Sequence, residues 1–311
     1  MDIRVLVQLI LMLAINGIVF IWGLILNSLV VFCWLKSSQL QKKVCHFTIC
    51  LLCCVDLLTV ATNSPVLITE LIFWIGEKES IFKLRTITHF FDVFLSFSLY
   101  TLLFVSFERY LAVFHPIFHH KKVTKSLLIK LHFVFLFLPI TIILLHVTEN
   151  NLASIILFFL FFIFPFLYVN TKLHIISKKY RRKNAITSQN HNMLSKKRIF
   201  SLRSISTCLL LVACVSLCHM PTIIGVIFWA LQNENALALS YMWIKTFWCI
   251  NSTSNCLVIF WRNKNLRSKA MKLMKQPRFD STLFWYNSDF FRIEFASWQT
   301  TETIRFLLTN V

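Results

Sequence analysis

Apolar residues in this chain come in long runs rather than in alternation. Seven stretches of roughly twenty residues or more, the length a helix needs to cross a hydrocarbon core, lie near 5-35, 45-73, 86-114, 126-147, 151-172, 204-231 and 237-261. Helix is the expected state, because lipid offers backbone groups no hydrogen bonds and a barrel would show short alternating strands instead. The pattern predicts an all-α membrane protein, a seven-transmembrane helix bundle. The first run is too long for a cleaved signal peptide and lacks a clear cleavage site, so it reads as a retained signal-anchor helix. After the seventh run, Leu266, Ala270, Leu273 and Met274 recur at helical spacing with basic residues between them. That is the pattern of an amphipathic helix lying on a membrane surface. The expected organisation is a short N-terminus 1-4, a bundle 5-261, a surface helix 262-275 and a tail 276-311.

Composition narrows the function. The chain is 57% hydrophobic and 14% charged, with a mean hydropathy of +0.68, a balance that a water-soluble globule of this size would struggle to bury. Only four residues are Gly, so a glycine-rich phosphate loop is scarcely attainable, and neither HExxH nor GxSxG occurs. No enzyme activity and no cofactor are expected. The ten cysteines all lie within or beside apolar runs, which argues against a disulfide framework.

A net charge of +19 would suit nucleic-acid binding only if it were gathered on one soluble face; here it lies in the connectors, and no nucleic-acid partner is expected. Segments 36-43, 115-130, 172-203 and 262-278 hold 24 Lys and Arg and no acidic residue, whereas 1-5, 76-85, 146-152 and 232-238 hold four. The basic set is therefore expected in the cytosol, with the N-terminus and the connectors carrying Glu77, Glu79, Glu149 and Glu234 outside. Topology and attraction to anionic lipid, at about 1 kcal/mol per basic residue, account for most of this charge without a protein partner.

Polar groups inside the spans are the informative ones, because an unpaired charge at mid-bilayer costs several kcal/mol. Asp56 lies in the second run, Glu108 and Arg109 close the third, and Asn27, Asn251 and Asn255 lie in the first and seventh. Taken with Ser-Leu-Val-Val after Asn27, Leu52 with Asp56 and Pro65, and Glu108-Arg109-Tyr110-Leu-Ala-Val-Phe-His-Pro116, the chain resembles the rhodopsin-like (class A) G-protein-coupled receptors. Pro165, Cys218-His219-Met220-Pro221, Asn251-Ser252-Thr-Ser-Asn255 and Leu266-Arg267 extend the likeness, in family order, over residues 24-267.

The resemblance implies roles. Glu108, Arg109, Tyr110 and Pro116 would form the G-protein coupling element, with Arg109 turning to receive a G protein's C-terminal helix when span six swings away and Glu108 holding it at rest. The bland alternative is an interfacial arginine that snorkels to headgroups. Asn27, Asp56, Ser98, Asn251, Ser252 and Asn255 would line a sodium pocket, with the ion at Asp56 and Ser98, since oxygen donors suit a hard cation. The alternative there is a protonated Asp56 satisfied by hydrogen bonds. Pro165, His219 and Pro221 would be helix hinges. The implied partners are an extracellular ligand, a heterotrimeric G protein, arrestin and membrane lipids, at the plasma membrane.

Departures from the family pattern are as telling. Span four lacks the family tryptophan, and His219 stands where span six usually carries its toggle tryptophan. Span seven reads Asn255-Cys256-Leu-Val-Ile259 in place of Asn-Pro-x-x-Tyr, and Leu173 replaces the usual tyrosine of span five. Ser201 replaces the acid that can latch Arg109, and Leu84 replaces the cysteine of the outer disulfide. With Glu108 the sole acidic partner of Arg109, measurable basal signalling is expected.

Ligand-pocket candidates in the outer half are Glu70, His89, Asp92, His219 and Lys245. Retinal is disfavoured because its lysine position holds Cys249, and an amine is disfavoured because Asp92 lies one residue, about 100 degrees, from the required position. Glu70 and Lys245 can instead neutralise each other, and His219 can be a satisfied buried histidine or a pH-sensitive group. Two other functions stay open: a seven-helix binding or scaffold protein that has lost coupling, and a small transporter, although no internal repeat is visible.

Overall fold

The structure, a computed structural model, describes residues 2–76, 85–147, 157, 159–186, 206–221 and 234–274. Among them every regular element is helical. The helices are α1 (Ile3–Leu35), α2 (Ser38–Gln41), α3 (Val44–Ile75), α4 (Arg85–Phe114), α5 (Pro116–Lys122), α6 (Lys125–Val147), α7 (Phe164–Ile186), α8 (Ser206–Pro221), α9 (Glu234–Arg262) and α10 (Lys264–Met274). A π-helical turn, Phe159–Ile163, leads into α7. Five helices among the described residues are long and apolar enough to cross a membrane; four fall on the first four predicted runs, and the fifth, Leu160–Lys179, overlaps the predicted 151-172 but lies further along the chain. The sixth run is described as the shorter apolar helix α8, and the seventh falls on α9, whose Lys245 and Asn251–Asn255 stretch make it more polar. The expected tail 276-311, Ser201 and the 187–205 stretch lie outside the described residues.

The sequence explains where each helix starts and bends. Asp2 caps α1, its carboxylate accepting from the Arg4 N–H at 3.1 Å. Thr124 Oγ1 accepts from Leu127 N–H at the start of α6. Pro116 opens α5, where its missing N–H costs nothing. Pro165 follows directly on the π-helical turn: lacking an N–H and crowding the preceding turn, it widens the helix there rather than breaking it. Asn263 separates α9 from α10, and its Oδ1 caps the new helix by accepting from Leu266 N–H at 3.2 Å.

On α1 the buried residues Leu9, Met12, Asn16, Val19, Gly23, Asn27 and Val30 recur every three or four positions, while Ile3, Val7, Ile10, Ile18, Ile21 and Ile25 are exposed. An apolar outer stripe beside a part-polar inner one is the inverse of a water-soluble helix and fits lipid as solvent. Since lipid tails are as apolar as leucine, packing and polar contacts must hold such helices together. α4 is the central post, packing against α3, α6, α7 and α9, while α1 packs on α3 and α9. Gly23 allows the closest approach: a Cβ there would lie 2.6 Å from Thr253 Oγ1 of α9 and 3.0 Å from Val60 of α3.

Candidate functional site

Three polar clusters lie inside the bundle. The first is at the middle of α3, α4 and α9. Ser98 donates to Asp56 Oδ1 at 2.5 Å, and Asn255 Nδ2 donates to Oδ2 at 3.3 Å. The Ser252 hydroxyl also faces this carboxylate. Asn27 donates to the Gly23 carbonyl at 2.9 Å and reaches the Ser252 carbonyl at 3.5 Å, which ties α1 into the same layer. The side-chain carbonyl oxygens of Asn27, Asn251 and Asn255 are buried without a hydrogen-bond partner among the described residues. All three are acceptors, the kind of group a small hard cation requires. Among the described residues no group of three or more His, Cys, Asp or Glu side chains is placed to hold a metal. The donor set therefore fits a monovalent ion better than a multiply charged one.

The second cluster closes the Arg109 end of the bundle. Arg109 and Glu108 form an ion pair, with Glu108 1% and Arg109 9% exposed, so this pair is screened by solvent far less than a surface one. Glu108 Oε1 also meets His119 Nε2 of α5 at 2.7 Å. Nothing in the sequence pairs these two directly. The signal that could have found the contact is Pro116, which starts a short helix and so sets His119 on its first turn. Tyr110 faces away from the pair, stacked on Phe114 at 4.5 Å between ring centroids and leaning on Tyr168 of α7.

Near this pair lies an apolar plug. Leu173, fully buried, packs with Val169 and Cys208, and Ser106 meets the Cys208 thiol at 3.3 Å. Arg262, at the end of α9, donates to Ser206 Oγ of α8 at 3.0 Å. This contact joins α8 to α9, and nothing in the sequence pairs the two residues. A cavity of about 130 Å³ opens beside these groups, lined by Arg109, Cys208, Ile259 and Arg262 among others.

The third cluster lies toward the other end. Glu70 is 1% exposed and accepts from Trp74 Nε1 at 2.8 Å. Lys245 is 7% exposed, its ammonium 4.7 Å above the Tyr241 ring. His219 lies 5.6 Å from the Trp248 ring, so an α9 tryptophan stands against the α8 histidine. Pro221 ends α8 as described. The side chains of His89 and Asp92 lie outside the described residues. All the described cysteines are free thiols. Cys50 and Cys53 form a C-x-x-C that the sequence reading overlooked; it sits on a membrane-spanning helix, with the Cys53 thiol against Cys256 of α9. That setting fits packing better than redox chemistry.

Residues 26–155 match the family described as seven-transmembrane receptor, rhodopsin family. No curated protein matches the chain. The matched stretch takes in Asn27, Asp56, Ser98 and the Glu108–Pro116 segment, and so both the Asp56 layer and the Arg109 pair, while the α8 and α9 contributions lie beyond it. That family is described as one of receptors. Over the described residues the protein is thus all-helical, with five helices long and apolar enough to cross a membrane, and its residues 26–155 are similar to the seven-transmembrane receptors of the rhodopsin family.

Proposed function

We propose that this chain is a plasma-membrane receptor, N-terminus outside, in which an extracellular ligand favours an open inner crevice and thereby promotes nucleotide exchange on a heterotrimeric G protein. The observation that carries the reading is Arg109, a buried guanidinium held by Glu108 at the mouth of a cavity that α8 and α9 close. Orientation rests on the 24 basic residues of one connector set against four of the other. The ligand can act only through its differential affinity for the closed and open states. Glu70, His89, Asp92, His219 and Lys245 are the groups proposed to meet it. Arrestin and inner-leaflet lipids are further partners of the same face.

The deciding experiment expresses the full chain with a panel of G-protein chimaeras and compares it with Arg109→Ala. Basal nucleotide exchange should be measurable and should fall at least about tenfold in the variant, since truncating a buried, hydrogen-bonded charge at an interface costs about 2 kcal/mol or more. A silent wild-type chain with confirmed surface expression would favour the second reading, a binding or scaffold protein without coupling. Leu173 supports that reading, because it fills with carbon the place where the family keeps a tyrosine.

A sodium ion is proposed at Asp56 and Ser98, with Asn27, Asn251, Ser252 and Asn255 completing the layer. The orphaned amide oxygens support it. Replacing potassium by sodium should raise the melting temperature of the purified chain, and Asp56→Asn should erase the difference. Equal melting of the wild type in both salts would remove sodium from the account.

A further inference from the structure

The cavity at the Arg109 end has a chemistry of its own. Three of its lining residues, Arg109, Arg262 and Lys264, are basic, and none of the described lining residues is acidic. Glu108 neutralises one of the three through its ion pair with Arg109. The remaining charge is matched by a single phosphate monoester, which carries about −1.5 to −2 near neutral pH. Arg262 is only partly used: one terminal nitrogen donates to Ser206 Oγ at 3.0 Å, while Nε is buried without a partner among the described residues. A buried donor left open in this way requires an explanation, and guanidinium groups recognise phosphate oxygens through such adjacent N–H groups. Asn263 and Asn265 add neutral polar groups at the rim, and Val105, Leu211 and Ile259 form an apolar floor.

From this geometry we infer that the cavity is a binding site for a phosphate monoester, held by Arg262 and Lys264 beside the Arg109–Glu108 pair. Two sources share that chemistry: the headgroup of an inner-leaflet phosphoinositide and a soluble inositol phosphate. A ligand there would sit across Ser206 and Arg262, the contact that joins α8 to α9, and would occupy the mouth that the proposed coupling needs open. Binding itself does not depend on coupling and is read on the purified chain.

The test uses the full chain in phosphatidylcholine nanodiscs. One arm titrates inositol trisphosphate; the other compares nanodiscs with and without phosphatidylinositol bisphosphate, reading ligand retention and melting temperature. Arg262→Gln should weaken binding about tenfold and Lys264→Gln about threefold. The double change Lys121→Gln with Lys122→Gln, on exposed residues of α5, should leave binding unaltered and so separates the cavity from general surface charge. Binding of the soluble phosphate assigns a free ligand, and binding confined to the lipid arm assigns a headgroup. Should Arg262→Gln fail to fold, the comparison of Lys264→Gln with the α5 pair decides alone. Absence of binding in both arms, or loss no greater in the cavity variants than in the α5 pair, overturns the site.

Discussion

The two sides of the bundle are held by different forces. Between α1, α3 and α9 the helices are joined by polar contacts at several depths. Trp243 donates to Gln8, Asn16 to Thr246 at 2.9 Å, Thr253 to the Val19 carbonyl at 3.1 Å, and Asn27 reaches the Ser252 carbonyl. Gly23 lets the backbones close around them. On the opposite side, at the Arg109 end, α4, α7 and α8 meet mainly through Leu173, Val169 and Cys208, with the weak Ser106 to Cys208 thiol contact beside them and the Tyr110 and Tyr168 hydroxyls paired. Directional bonds fix a register, because sliding one helix past another leaves buried donors and acceptors unmet. Apolar contacts carry no such penalty and re-form after a small displacement. The first seam is a fixed frame, and the second is the face along which a helix can move.

Three substitutions sharpen or break that contrast. Leu173→Ala should have the largest effect, since deleting a fully buried leucine from a packed core costs about 2–5 kcal/mol. It should lower the melting temperature and raise basal nucleotide exchange together. Lower melting with unchanged exchange would mean that this face is structural only. Gly23→Ala comes next, because the added methyl meets Thr253 and Val60 at overpacked distances, at about 1–3 kcal/mol. Melting should fall while exchange per surface receptor stays constant, and a rise in exchange would show that the frame moves as well. Asn16→Leu should be smallest, about 0.6 kcal/mol, the average for interhelical hydrogen bonds in membranes. Thr246 still donates to the Met242 carbonyl in that variant. A drop in melting as large as that of Gly23→Ala would show that the polar seam is strongly cooperative.

The fold was legible because lipid allows so few solutions: apolar runs of this length can hardly be anything but helices, and the first four predicted runs are described as spans, with a fifth span further along the chain than predicted. Asp56, Ser98 and Asn255 were named together from their family positions, and the structure brings them within hydrogen-bonding distance. What the sequence hid are contacts between elements whose relative rotation only packing decides. His119 is far from Glu108 in role but beside it in space. Arg262 read as one more basic residue of a connector, yet it bonds Ser206 of α8. Trp248 carried no signal, because a tryptophan among many aromatics in the spans is marked only by the histidine it meets.

Glu108 has two oxygens and answers to two bases, one on the long central helix and one on the short helix that follows it. One oxygen meets the guanidinium and the other the imidazole, so the carboxylate is a hinge pin shared by two helices. An imidazole turned away from α4 would leave that oxygen open beside the guanidinium, so the short helix and the central one share their anchorage at a single side chain.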